Sequence, residues 1–239
     1  MAQAKKAGAE VWFGSKVSEI GENYVTAGGR KIGFKNLVGA DGSYSVVCRS
    51  LNLPMKLGIG IQYKIKDKFD CPELYFDAEN FEPWYSWIAP HKNFTFVGAG
   101  ADCEFLTTPE IKSRLEKWLS KRGINFCSSE LEGAPIQVDY HGYWFGNKYL
   151  VGDAAGFASG WWGEGIYFAM MSGEDVAKII MDKSHNPALI KKVLSIKRRH
   201  ELIMNILRSN PHVNKMGFGL GFCLLNYNFF REWLIELVC

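Results

Sequence analysis

Two segments of the sequence combine residue types and spacings that could bind a polar ligand. In the first, an apolar strand, Tyr149-Leu150-Val151, runs into Gly152-Asp153-Ala154-Ala155, and Gly163-Glu164-Gly165 then opens a helix. An aspartate at a strand end can accept hydrogen bonds from ligand hydroxyls, while glycines let a backbone approach closely. A helix that starts among glycines presents free N–H groups and the positive end of its dipole. This segment is predicted to bind an anionic or polyhydroxy ligand, the alternative being an ordinary surface turn.

The second segment, Leu37–Arg49, has the sequence LVGADGSYSVVCR. A short apolar strand delivers Gly39-Ala40-Asp41-Gly42 to a turn, and a helix follows. This motif is only moderately specific by itself. With Gly152-Asp153 following roughly 110 residues downstream, the two together form a specific pair.

The pair resembles two fingerprints of FAD-dependent oxidoreductases of the aromatic-hydroxylase type. More narrowly, GDAAGF followed by GEGIYFAM is similar to geranylgeranyl reductases and their electron-transfer-flavoprotein dehydrogenase relatives. The stretch from Tyr85 to Pro90, YSWIAP, is similar to a YxWxxP-like signature in the substrate domain of those reductases. The resemblance covers residues 1–185.

The resemblance implies a role in FAD binding for ten residues. Asp41 and Gly42 would lie beside the diphosphate, and Arg49 would lie on the helix that follows. Asp153 would hold the ribityl chain, and the helix opening at residue 163 would face the N1–C2 carbonyl edge of the flavin ring. The implied cofactor-binding residues are Asp41, Gly42, Arg49, Gly152, Asp153, Ala154, Gly163, Glu164, Gly165 and Ile166.

The resemblance also implies a substrate cavity beside the flavin, lined by Tyr85, Trp87 and Pro90. Trp161 and Trp162 stand where the family commonly has a proline, and they either narrow this cavity, stack on a ligand or pack in the core. Ala89 stands where the reductases often carry a phenylalanine. Glu164 is the candidate catalytic residue as a proton relay, although a glutamate at a helix N-terminus is also an ordinary dipole partner.

One element of the family is missing from this sequence. The family begins with a strand, a GxGxxG turn and a helix that bind the ADP half of FAD. Residues 217–222, GFGLGF, lack both the preceding strand and the third glycine, so they are rejected as a dinucleotide site. The chain is expected to be the C-terminal portion of a longer flavoprotein or one half of a split gene. Its FAD site is then incomplete, and an N-terminal Rossmann partner chain would complete it.

The composition excludes several classes of protein. The 239 residues are 47% hydrophobic and 22% charged, which favours a globular fold of one large or two small domains. A net charge of +3 argues against a dedicated nucleic-acid binder. None of the six cysteines forms a CxxC pair, so neither zinc nor an iron–sulfur cluster is expected. The sequence shows neither a signal peptide nor a transmembrane run, which predicts a cytoplasmic protein with reduced thiols.

The predicted fold class is α/β with α+β character. A partial Rossmann-like FAD-binding layer comes from residues 1–54 and 146–184, and an antiparallel-sheet substrate domain from residues 55–145. A helical tail, residues 185–239, closes the chain. Among its elements, a strand is predicted over 10–20, a helix capped by Thr108, and a helix over 163–183.

The C-terminal end is basic and aromatic. Residues 178–239 hold ten of the 28 lysines and arginines but only four of the 25 acidic residues. Lys197-Arg198-Arg199 is predicted to be a solvated helix face. The five histidines are scattered along the sequence, and His91 is expected at the surface, the alternative being the mouth of the cavity. Residues 211–239 either contact a membrane surface as a peripheral anchor or form a helical pair that covers the sheet.

The resemblance implies reduction of an isoprenoid C=C bond by hydride transfer from reduced flavin. NAD(P)H or a ferredoxin-type reductant would supply the electrons. Two alternatives stay open. The chain could be a hydroxylating or electron-transfer relative, or it could be a non-catalytic module that binds lipid.

Overall fold

The computed structural model describes residues 2–76, 80–81, 84–161 and 163–209. Its strands are β1 (Val17–Ile20), β2 (Tyr24–Ala27), β3 (Arg30–Gly33), β4 (Leu37–Gly39), β5 (Leu57–Ile65), β6 (Glu73–Tyr75), β7 (Ser86–Pro90), β8 (Thr95–Asp102), β9 (Leu131–Gln137), β10 (Trp144–Phe145) and β11 (Lys148–Leu150). Its helices are α1 (Ala2–Lys6), α2 (Val46–Ser50), α3 (Thr108–Lys121), α4 (Ile166–Met181) and α5 (Ala188–Ser209), with a 3₁₀ turn at Gly152–Ala155.

The first layer is a small sheet in the order β10-β11-β4, in which β4 and β11 run parallel. Helices α2, α4 and α5 and the 3₁₀ turn bury this sheet in one apolar core. Gly39 permits the close fit of α2 on β4, because a Cβ there would lie 2.7 Å from Cβ of Val47 and 2.8 Å from Cδ2 of Leu150. A separate hairpin sheet, β1-β2-β3, lies beside β4.

The second layer is a five-stranded antiparallel sheet in the order β6-β7-β8-β5-β9. Alternate residues of its strands, among them Ile61, Ile88 and Val97, pack against the apolar face of α3, which contributes Leu115 and Leu119. This period-2 pattern leaves the other face of the sheet available to the site.

The predicted fold class is confirmed, with several boundaries corrected. The helix predicted from residue 163 begins only at Ile166, because Gly163 has a φ of +63° and Gly165 is the N-cap. Helix α3 is capped by Thr107 rather than by Thr108, and Thr107 shares a capping box with Glu110. The strand predicted over 10–20 covers only Val17–Ile20. The division of the chain into domains at residues 145 and 146 stays a prediction.

The predictions made for Trp162 and for residues 211–239 lie outside the described residues. Within the residues that the structure describes, no helix combines the length and the apolarity needed to cross a bilayer.

Candidate functional site

The two chemistry-bearing segments end at the same edge of the first sheet. Strands β4 and β11 are parallel neighbours, with Val38 opposite Tyr149 and Gly39 opposite Leu150. Parallel strands have their carboxyl ends at one edge, so the turn after β4 and the 3₁₀ turn after β11 emerge side by side. One rim of the site is thereby formed by two segments far apart in the sequence, the turn that follows Gly39 and the 3₁₀ turn Gly152–Ala155.

Ser43 joins this rim to the second sheet. Its hydroxyl lies 2.8 Å from the carbonyl oxygen of Pro135 and 3.1 Å from Oδ2 of Asp153, and it accepts a hydrogen bond from the N–H of Gln137 at 3.1 Å. The residue is buried, so these contacts fix Asp153 relative to β9. Sequence reasoning missed Ser43, although a small polar residue directly after the Ala40-Asp41-Gly42 turn was the available signal.

Asp153 lies half-buried between Ser43 and Gly165. Burial raises the pKa of its carboxyl group, while the Ser43 hydrogen bond and the positive charge of Lys197 oppose that rise. A Cβ on Gly165 would lie 2.8 Å from Oδ1 of Asp153. The carboxylate therefore packs directly against the backbone at the start of α4, where only glycine leaves it room.

The N-terminus of α4 has no side-chain cap, although the helix has 16 residues. The preceding loop closes on itself, because the N–H of Ser159 donates to the carbonyl of Glu164 at 2.9 Å and the N–H of Gly163 donates to the carbonyl of Ser159 at 3.0 Å. Beyond it, Ile166 is 82% exposed. The first-turn N–H groups and the positive end of the helix dipole therefore lie beside Asp153. There the N–H groups can donate hydrogen bonds to the electronegative edge of a ligand.

Glu164 and Tyr85 interact across the gap between the two layers. Burial raises the pKa of Glu164. Burial, and secondarily the negative charge of Glu164, raises the pKa of Tyr85 to about 12. The Tyr85 hydroxyl therefore stays protonated at neutral pH. Two titratable groups, the Glu164 carboxyl group and the Tyr85 hydroxyl group, therefore lie beside the start of α4.

The face of the second sheet that lies opposite α3 carries two tryptophans that lie on glycines. A Cβ on Gly58 or Gly100 would overlap with the indole of Trp84, and a Cβ on Gly98 would overlap with that of Trp87. Glycines at these positions let both rings lie close against the strands as an aromatic floor. Trp84 is buried with Trp161 and Met204, so Trp87 is the ring of this floor that is partly exposed.

The floor extends towards Tyr85 but not directly to Pro90. The Tyr85 ring meets Trp87 edge-on, with centroids 6.0 Å apart. Pro90 is the last residue of β7 and lies about 16 Å along the strand from Tyr85, at roughly 3.3 Å per residue. Trp161 is only 7% exposed and packs with Trp84 and Met204, which favours the packing alternative over a ligand contact.

The residues after β4 are arranged mainly around α2. Oδ2 of Asp41 accepts a hydrogen bond from the N–H of Val46 at 2.7 Å, which caps the first turn of that helix. Gly42 has a φ of +76° and open space around its Cα, so backbone conformation requires the glycine. Arg49 is exposed on the last turn of α2.

The predicted solvated face at residues 197–199 is wrong for Lys197, which is only 2% exposed. His200 is also buried, and its Nδ1 lies 2.9 Å from the Ser159 hydroxyl. Helical spacing was the available signal for the burial of Lys197 and His200, because both share one face of α5 with Val193 and Ile196.

Within the described residues, no group of three or more His, Cys, Asp or Glu side chains could hold a metal ion.

The chain is similar in sequence to geranylgeranyl diphosphate reductases, as the motifs predicted. It is 28% identical to an uncharacterized protein of Methanosarcina barkeri, over 91% of this chain and 58% of that protein. It is 27% identical to the geranylgeranyl diphosphate reductase of Rhodobacter capsulatus, over 86% of this chain and 58% of the enzyme. The chain therefore spans little more than half the length of these relatives. No protein-family model matches it.

Solved structures share its fold. A geranylgeranyl bacteriochlorophyll reductase-like protein from Thermoplasma acidophilum superposes with a TM-score of 0.71 and 20% identity, over 90% of this chain and 63% of that protein. An anhydrotetracycline hydroxylase from Streptomyces rimosus superposes with a TM-score of 0.60 and 17% identity, over 99% of this chain and 54% of that one. The chain therefore shares its fold with these two proteins over most of its length.

Proposed function

We propose that this chain forms the flavin-facing and substrate-facing part of an FAD-dependent oxidoreductase that reduces a C=C bond of an isoprenoid. One observation carries the proposal. The ends of β4 and β11 converge where the Asp153 carboxylate packs against Gly165, at the uncapped N-terminus of α4.

The residues of this rim suit the ribityl and ring portions of FAD. Asp153 can accept hydrogen bonds from ribityl hydroxyls, and Ser43 holds its carboxylate in place. The N–H groups at the start of α4 suit the electronegative edge of the ring, which is anionic in the reduced state. When bound, FAD supplies the hydride, and NAD(P)H or a ferredoxin-type reductant supplies the electrons.

The aromatic floor suits an apolar substrate. Trp87 lies on Gly98 and is the partly exposed ring of the floor, and Trp84 lies buried on Gly58 and Gly100. Reduction of a C=C bond also requires a proton on the second carbon. Tyr85 and Glu164 lie together beside this floor, and Glu164 is the proposed relay to a protonated Tyr85 hydroxyl. A lipid substrate also fits peripheral membrane contact through the basic, aromatic tail.

The ADP half of FAD needs a second element, which we place at the open edge of β4. Among the described strands, β4 pairs only with β11. A groove of about 500 Å³ lies along its other edge, lined by Ile20, Val25, Leu37 and Val38, with Asp41 at one end. A βαβ unit with a GxGxxG turn, either in a longer form of this chain or in a partner chain, would add a parallel strand here and carry its glycine turn to Asp41.

The flavin assignment is tested by titrating the protein with riboflavin and with FAD, followed by quenching of flavin fluorescence. We expect similar affinity for both, because this chain contributes contacts to the ribityl and ring portions only. Asp153→Ala should weaken riboflavin binding about tenfold or more, the effect of one lost hydrogen bond to a charged group.

Asp182→Ala is the matched control, because Asp182 lies at the opposite end of α4, about 24 Å away at 1.5 Å per residue. It should leave riboflavin binding unchanged. Equal loss in both variants, or no binding of riboflavin by the wild-type protein, would contradict the flavin assignment.

The chemistry is tested on the FAD-reconstituted protein with geranylgeranyl diphosphate as the probe and dithionite as the reductant. Mass spectrometry should show a gain of two hydrogens for each reduced bond. Incorporation of an oxygen atom under air would instead favour the hydroxylase alternative, and an unchanged substrate would contradict the reductase proposal.

A further inference from the structure

A buried basic pair on α5, Lys197 and His200, holds the loop that leads from the 3₁₀ turn to α4. We infer that these two side chains are positioning residues, which clamp residues 158–164 so that the start of α4 and Asp153 keep their binding geometry. The inference rests on the proposed flavin role of that rim, but the clamp itself is a property of the protein alone.

Lys197 makes the first contact of the clamp. Its ammonium group donates to the carbonyl of Ala158 at 2.9 Å and to that of Val138 at 2.6 Å, and it pairs with Glu201 at 3.1 Å. All three of its N–H donors therefore have an acceptor. Val138 directly follows β9, so one cation ties α5 to the loop and to the end of the second sheet.

His200, almost one turn further along α5, makes the second contact. Nδ1 of its ring lies 2.9 Å from the hydroxyl oxygen of Ser159, which also accepts a hydrogen bond from the N–H of Trp161 at 3.2 Å. The backbone of Ser159 closes the loop with Gly163 and Glu164. The histidine thus holds a residue through which the loop bonds to itself.

The clamp is also linked to Asp153 electrostatically. The positive charge of Lys197 lowers the pKa of the Asp153 carboxyl group, against the larger effect of burial. A lysine kept out of water is costly unless it is paired, so full satisfaction by two carbonyls and a carboxylate marks an arrangement that the fold maintains. An apolar side chain of similar length would fill the same volume without bonding the loop.

Hydrogen–deuterium exchange of the full chain tests the clamp without any cofactor. In Lys197→Met, we expect the peptide covering 158–165 to exchange at least about tenfold faster, the effect expected when charge-assisted hydrogen bonds are lost. The peptide covering α3, which lies in the other layer, should keep its wild-type rate. Arg198→Met is the control, since it removes a neighbouring exposed charge and should change neither peptide.

His200 provides a second pair of variants, which decides the question if Lys197→Met fails to fold. His200→Phe should loosen the same loop, whereas His200→Gln keeps a hydrogen-bonding group near Ser159 and should restore much of the protection. Loop exchange at the wild-type rate in the folded variants, or equal acceleration in the loop and in α3, would overturn the clamp.

Riboflavin titration of the same variants then separates the clamp from the proposed function. Lys197→Met should bind riboflavin about tenfold more weakly, with Arg198→Met unchanged. If the wild-type protein binds no riboflavin while the exchange results hold, the proposed function fails and the clamp stands. If the wild type binds riboflavin and Lys197→Met binds it equally well, the clamp has no positioning role.

Discussion

At the scale of single residues, Asp153 shows how a site can place a binding group at a cost to stability. Its carboxylate is half-buried, and burial disfavours its charged form. Ser43 donates a hydrogen bond to it and Lys197 provides a positive charge, but together they do not cancel the effect of burial. The acceptor needed for a ligand hydroxyl is thus present before any ligand is bound.

This imbalance predicts that Asp153→Asn stabilises the protein at neutral pH. Because the folded-state pKa lies above the ordinary value of 3.8, the folded state binds more protons than the unfolded state between those two values. Stability therefore falls as pH rises through that window, and the full cost is present above the folded-state pKa. Asparagine removes this cost while keeping an acceptor oxygen for Ser43.

Thermal denaturation measured between pH 3.5 and pH 7 checks this prediction. The melting temperature of Asp153→Asn should exceed that of the wild type at pH 7, and the two should converge towards the acidic end. A variant that melts below the wild type at pH 7 would show that ionic contacts of the carboxylate outweigh its burial.

At the scale of the elements, the start of α4 depends on a glycine for its contact with Asp153. Gly165 has an ordinary negative φ of −131°, so its role is the space it leaves and not its backbone conformation. Gly173, within the same helix, has no heavy atom within 4 Å of its ideal Cβ position. The two glycines therefore form a matched pair in one element.

Gly165→Ala should displace the Asp153 carboxylate, because the new Cβ would lie 2.8 Å from Oδ1. We expect riboflavin binding to weaken about tenfold, while the helix itself is retained. Gly173→Ala should instead leave binding unchanged and raise the unfolding free energy by about 0.5–1 kcal/mol, since alanine is the better helix former. Chemical denaturation and riboflavin titration measure the two effects, and equal behaviour of the variants would contradict the assignment.

At the scale of the whole molecule, the small parallel sheet is open on one side. Val38, in the middle of β4, is 39% exposed beside an apolar groove. On either side of it, Leu37 donates to Asn147 and Gly39 accepts from Val151, so the N–H of Val38 is directed away from β11. An exposed apolar edge of this kind is suited to pairing with another strand.

Val38→Pro should therefore prevent completion of the sheet while leaving the β4–β11 pairing in place. Val38→Thr is the control, because threonine keeps the N–H and the branched shape. Each variant is co-expressed with the part of the Rhodobacter capsulatus relative that lies outside the matched segment, and FAD retention is measured. We expect retention with the wild type and Val38→Thr but not with Val38→Pro. Equal retention in both variants would contradict pairing at this edge.

Much of the framework could be predicted from local sequence. The strand before Gly152-Asp153, the helix after it and the alternation in β5 and β8 follow from hydrophobic periodicity and turn residues. The observed start of α4 lies three residues after the predicted one, because the sequence does not show which of two nearby glycines begins the helix. The prediction of a solvated face is wrong for Lys197, because the pattern of a charge run does not separate it from its exposed neighbours Arg198 and Arg199.

The sequence by itself determined the class of fold, the two motifs and the resemblance to flavoproteins, because these depend on short spacings and on the intrinsic preferences of glycine and aspartate. Only the tertiary structure decided which side chains meet at the site. Ser43 reaches Asp153 across 110 positions, and Lys197 reaches Ala158 and Val138 across 39 and 59. Such contacts arise because the parallel pairing of β4 with β11 and the packing of α5 bring distant backbone together, and no local pattern encodes that proximity.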